Sequence, residues 1–178
     1  NESTISIKTE YFGSNADRMR QVFEYYSISE ISKNYTQSIG QLYPTIMMDG
    51  KIKVTDDIDS NKLTITENYI IMEAWNVVPD KGLFFNKFKT EPLLLYSYIS
   101  PLQCESKEYP VYLGDKINVV INTRFKLPET IIQDNELMKI DNSAYRYLKA
   151  VDFSKGKEMR IKYVYQTKYK PHCAKNIY

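Results

Sequence analysis

With a single histidine, two cysteines and six scattered glycines, this 178-residue chain has little of the equipment most catalytic sites use. A cysteine–histidine pair would have to recruit His172, and its neighbour Cys173 points the other way if that segment is a strand. Cys104 with His172 is geometrically open, but no local motif surrounds either residue. One histidine and two distant cysteines give no zinc-type ligand spacing. Asp56, Asp57 and Asp59 form a dense carboxylate cluster without the glycine and distal glutamate of a calcium loop, so they read as a solvated turn. The glycines match neither a dinucleotide fingerprint nor a phosphate-cradling loop with its lysine. No catalytic residue, metal or cofactor is therefore expected. Cys104 and Cys173 stand either as one disulfide, in an oxidising compartment, or as two unpaired thiols, and spacing alone does not choose between them.

Charge is balanced as well. Twenty-four Lys and Arg against 22 Asp and Glu leave a formal charge of +2, which is not the clustered basic footprint of a nucleic-acid binder. Arg160, Lys162, Lys168 and Lys170 are spaced evenly enough to be the wet face of a strand. No apolar run approaches the roughly 20 residues of a spanning helix. The longest, Leu93 to Ile99, is interrupted by Tyr96, Ser97 and Tyr98, so no membrane-spanning segment is expected. The chain shows no initiating Met, signal peptide or lipidation motif at Asn1, and it reads as an excised domain or a mature product.

What is abundant is tyrosine, 16 residues, set in stretches of period two. From Lys116 to Leu127, the residues Ile117, Val119, Ile121, Thr123, Phe125 and Leu127 alternate with Lys116, Asn118, Asn122, Arg124 and Lys126 before Pro128 ends the run. Only a strand separates every second side chain onto one face, so this is half-buried antiparallel sheet. Thr4 to Phe12 opens the chain in the same way and is closed by Gly13. Helical spacing follows. Ser14 or Asn15 is the expected N-cap of a helix with Ala16, Met19, Phe23 and Tyr26 on its apolar stripe. Ser27 with Glu30 reads as a capping box for a second helix that carries Ile31, Tyr35, Ile39 and Leu42 on one face and stops by Pro44.

Period two then returns. Lys51 to Ile58 and Lys62 to Met72 flank a turn, Leu83 to Phe88 is a short strand, and Tyr109 to Leu113 is a brief edge strand. Pro92 to Ile99 reads equally as strand or helical turn. Tyr145, Tyr147, Lys149, Val151 and Phe153, then Met159 through Tyr169, form a terminal hairpin around Gly156. The expected fold is mainly β with two N-terminal helices (α+β): an antiparallel β-sandwich with a helical insertion at about 14–43, in one domain spanning 1–178. Trp75 either fills the core or, with Tyr96 and Tyr98 and the nearby Phe84 and Phe85, forms a platform for a glycan or peptide.

Two blocks of sequence carry a family resemblance. Gly13-Ser14-Asn15-Ala16-Asp17-Arg18-Met19-Arg20 follows the first strand. Ser100-Pro101-Leu102, then Ser106-Lys107-Glu108-Tyr109-Pro110-Val111, lead into the strand ending at Leu127-Pro128. In this order they resemble the β-rich C-terminal domain of bacterial transglutaminase-like proteins, which also carry an N-terminal β domain of unknown function. The resemblance implies a non-catalytic accessory domain whose partner is the transglutaminase-like core of the same polypeptide, with the catalytic Cys, His and Asp upstream of this region. It also implies a periplasmic or cell-envelope location. The alternative reading, from the aromatics and not from the resemblance, is an autonomous β-sandwich module that binds an envelope peptide or glycan through Trp75, Tyr96 and Tyr98. Neither Cys104 nor Cys173 matches a catalytic position of that family. Such regions usually continue past the terminal hairpin.

Overall fold

The computed structural model describes residues 2–73, 76–80, 83–88, 90–91, 95, 116–153 and 156–168. Strand β1 (Glu2–Phe12) is followed by helices α1 (Ser14–Tyr25) and α2 (Ile28–Gly40), then β2 (Ile46–Met48), β3 (Lys53–Asp57) and β4 (Lys62–Met72). A two-stranded ribbon, β5 (Asn76–Asp80) with β6 (Leu83–Lys87), precedes β7 (Asn118–Lys126), β8 (Glu136–Asp141), β9 (Tyr145–Asp152) and β10 (Glu158–Thr167). Eight strands form one sheet in the order β2-β4-β1-β7-β10-β9-β8, every pair antiparallel, with β3 beside β2 on the outer edge of β4. The mainly β, antiparallel fold with a helical insertion after the first strand is as the sequence predicts. The sheet, however, is open. Period-two spacing identifies strands but not how many sheets they build, and among the described residues the large layer facing this sheet is helical.

Alternation makes the sheet two-sided. Ile5, Ile7, Thr9 and Tyr11 of β1 share the inner face with Leu63, Ile65, Glu67, Tyr69 and Ile71 of β4. Val119, Ile121 and Phe125 of β7 and Met159, Ile161 and Tyr163 of β10 continue it. All of these except Thr9 and Glu67 belong to one hydrophobic cluster, and burying each aliphatic member stabilises the fold by roughly 1.5–3 kcal/mol. On the opposite face charges neutralise one another in water. Glu10 pairs with Lys8 and Lys62, while Glu158 accepts from Arg124 and Arg160. Arg160, Lys162 and Lys168 are exposed, as expected of a solvated face.

The helices cover the β1, β4 and β2 end of the inner face. Ala16 is fully buried, with Met19, Val22 and Phe23 packed beside the core. Tyr26, expected on that stripe, is instead the exposed C-cap where the backbone turns extended. The N-cap of α1 is Gly13, not Ser14 or Asn15: at φ 59° it turns the chain out of β1, and its carbonyl accepts from Ala16 and Asp17. Asn15 instead donates to the Lys116 carbonyl at 2.9 Å. The capping box of α2 is present, with Ser27 and Glu30 each accepting from the other's backbone N–H. Ile31 and Ile39 are buried on that helix. Among the described residues no helix is long and apolar enough to cross a membrane.

Candidate functional site

Trp75, Tyr96, Tyr98, Cys104 and Cys173 all lie outside the described residues, as do His172, the Pro92–Ile99 run except Leu95, and Tyr109–Leu113. The acidic turn is described, and two of its carboxylates, Asp56 and Asp57, are engaged internally. Asp56 takes a forked hydrogen bond from Arg20 of α1, at 3.0 Å from Nε and 2.7 Å from the terminal nitrogen, and Asp57 accepts from Ser60. These bonds hold both carboxyls below their usual range. Among the described residues no group of three or more His, Cys, Asp or Glu is placed to hold a metal ion.

Two other features of the inner face stand out. The first is Glu67, a carboxyl in the apolar phase of β4 and only 1% exposed. Tyr69 donates its hydroxyl hydrogen to Oε2 at 2.5 Å, while Oε1 has no hydrogen-bond partner. Removing a carboxylate from water disfavours its charge, so burial pushes Glu67 up to about 7, and the Tyr69 bond reverses only part of that shift. The Tyr69 phenol is itself pushed far up, first by burial and then by Glu67.

The second is a cleft of about 300 Å³ at the other end of the sheet, beyond the cover of the helices. Val151, Met159 and Ile161 form its floor. One wall is Phe88 with Thr90, and Phe88 is fixed edge-on against Phe125 at 5.0 Å and stacked beside Tyr43 at 5.7 Å. A second part of the lining is Ile131, Gln133 and Phe153, where Ile131 N–H reaches the Gly156 carbonyl at 3.2 Å and Phe153 N–H reaches the Asn135 side chain at 2.8 Å. Both parts are therefore tied to the sheet. Across the mouth, Lys149 Nζ of β9 lies 3.3 Å from Glu136 Oε2 of β8, and Gln133 donates to the other oxygen of the same carboxylate at 3.4 Å.

A smaller apolar cavity of about 50 Å³ lies towards α2, and the two share Thr90 and Ile161. Aliphatic floor, aromatic walls and a few converging polar groups are the usual makings of a small-molecule site. Sequence reasoning reached none of these residues as a site. The signal was nonetheless there, because Glu67 and Lys149 each put a charge into the buried phase of an otherwise apolar alternation.

Compared with protein-family models, with curated proteins and with solved structures, the chain matches none.

Proposed function

We propose that this chain is a non-catalytic ligand-binding domain, accessory to a transglutaminase-like core of the same polypeptide and working in the bacterial envelope. The observation that carries the binding role is the cleft bounded by Phe88, Phe153, Glu136 and Lys149, which offers an apolar floor and both signs of charge in one place. At about 300 Å³ it stands at the lower end of the roughly 300–1,000 Å³ range of small-molecule sites. It accommodates the end of a peptide or one or two sugar units. Association with a transglutaminase-like core rests on the ordered resemblance alone, and the same resemblance is what supports the envelope location.

Two observations test this reading. Titration of the chain with short peptides and with oligosaccharides, followed through amide NMR shifts, should move the signals of 131–136 and 149–153 in a saturable way. Silence there with every ligand would remove the binding role. For the accessory role, sequence encoded upstream should contain a core with spaced Cys, His and Asp, and its absence would leave a binding domain with no such core.

A further inference from the structure

We infer that the cleft between β8, β9 and Phe88 selects a free α-amino acid or the like, a ligand that carries an ammonium and a carboxylate close together on an apolar body. The inference rests on the binding role proposed above and names its ligand class. It begins from where the two charges sit. Glu136 and Lys149 lie on the inner face of the sheet: Glu136 is paired with Val151, and Lys149 with Met138 on one side and Tyr163 on the other. That face is otherwise the apolar one, with Val151, Met159, Ile161 and Tyr163 all buried on it. Glu136 and Lys149 both line the cleft beside this apolar floor, so each has hydrogen-bonding capacity at the place where a ligand would lie.

Their mutual bond is easily given up. At 3.3 Å, with side chains 31% and 50% exposed, the pair is a partly solvated one of the kind that contributes little by itself. Lys149 has three N–H donors and Glu136 two acceptor oxygens, so each can hold its partner and a ligand together. An α-amino acid laid head to tail against the pair places its carboxylate on Lys149 and its ammonium on Glu136. The two ion pairs become a closed ring of four alternating charges, each contact a charge-assisted hydrogen bond. Gln133, already on Glu136, holds that carboxylate in place, and Thr90 adds a hydroxyl to the lining. An aliphatic or aromatic side chain then drops onto the Met159 and Ile161 floor between the phenyl rings of Phe88 and Phe153. A ligand of one charge alone would leave one member of the pair without a new partner. A neutral sugar would meet both charges but use neither to advantage.

The test is a titration of the 178-residue chain with L-leucine and L-phenylalanine, read through amide NMR shifts. Each is compared with its N-acetyl and its carboxamide derivative. Expected are saturable shifts at 131–136 and 149–153, weakened about tenfold or more when either charge of the ligand is blocked. Glu136→Gln and Lys149→Met should each weaken binding by a similar factor while signals from β1 and β4 stay in place. The blocked ligands make the same comparison on the unaltered chain, so the result does not depend on either variant folding. Equal affinity for free and blocked amino acids overturns the inference. Shifts in the cleft with blocked peptides or oligosaccharides, and none with free amino acids, overturn it while the binding role stands. Silence with all of them overturns both.

Discussion

Tyr69 and Glu67 lie two residues apart on the same buried face of β4, and the phenol donates to the carboxyl across 2.5 Å with no cation among the causes that shift the Glu67 proton. A carboxyl so placed favours its neutral form. In the unfolded chain Glu67 releases its proton near its ordinary value of 4.5, and in the folded chain only near about 7. Below the lower value both states hold the proton and the folded state keeps its full advantage. Between the two values the unfolded chain binds fewer protons, so stability falls as pH rises and levels off above about 7. The whole step amounts to about 3 kcal/mol.

Glu67→Gln keeps the size and cannot ionise. It should flatten the stability profile across that window and make the variant the more stable form above it, by less than the full step because the amide brings two buried donors. Urea midpoints measured at several pH values check this, and parallel profiles for the two proteins would refute it. The comparison with the variant is needed because Glu10, Asp56, Asp57, Asp141 and Glu158 are all held below their ordinary values by hydrogen-bonded partners. Their contribution has the opposite sign and is lost as pH falls, at the acid end of the profile.

Gly13 and Gly40 sit at opposite ends of the helical insertion, and the same substitution should act on them in opposite directions. Gly13 has φ 59° and ψ −135°, a conformation side chains disfavour, although an added methyl would meet nothing within 4 Å. Gly13→Ala should therefore cost about 1 kcal/mol or more from the backbone alone. Gly40 ends α2 without a positive φ, and a methyl there would rest 3.7 Å from Ile46 Cγ2, an ordinary contact. Gly40→Ala should stabilise by roughly 0.5–1 kcal/mol. Melting temperatures moving in the same direction for both variants would contradict this account.

The pattern of success and failure in reading this fold from sequence follows from what each strand buries. β1, β4, β7 and β10 each bury one face and β9 half-buries one, so Ile5 and Ile7, or Val119 and Ile121, alternate visibly with polar neighbours. β8 escaped because both faces mix charged with apolar residues, Glu136 with Met138 and Ile140 on one and Leu137 with Lys139 and Asp141 on the other, and nearly all of it is exposed. β2 is three residues long, too short for any period to register. The cleft was out of reach for a different reason. Glu136 and Lys149 meet because β8 pairs with β9 and because Phe88, far away in sequence, is held over β7 by Phe125. Strand order decides that, and strand order is not written in alternation.

The start of α2 gives a local test of a feature that was legible. Ser27 Oγ accepts from Glu30 N–H at 3.2 Å, and Glu30 Oε2 accepts from Ser27 N–H at 2.9 Å, which satisfies two donors that a helix start otherwise leaves to water. Ser27→Ala should cost about 1 kcal/mol. Hydrogen exchange should locate the loss: amides of the first turn of α2 should exchange faster while those of β1 and β7 hold their relative protection. Uniform acceleration across the sheet would point to a global role for Ser27 that the structure does not give it.

Ile65 and Ile132 set the two extremes for an isoleucine among the described residues, one fully buried and the other 96% exposed. Ile65 lies on the inner face of β4 opposite Thr9, whose hydroxyl has no hydrogen-bond partner, and opposite Val54 of β3 on its other edge. Neighbours paired on both sides by backbone hydrogen bonds cannot collapse far into a void. Ile65→Ala should accordingly lose the transfer energy of the removed atoms together with a cavity penalty, about 2–5 kcal/mol in all. Ile132→Ala should fall within about 0.5 kcal/mol of the parent. Thr9, across from Ile65, offers a companion check. Thr9→Val removes the unpaired hydroxyl at nearly constant volume and should stabilise the parent chain, since a buried oxygen that bonds to nothing costs free energy. Urea denaturation of the three variants decides the matter, and a destabilised Thr9→Val would mean that the hydroxyl has a bond the structure does not reveal.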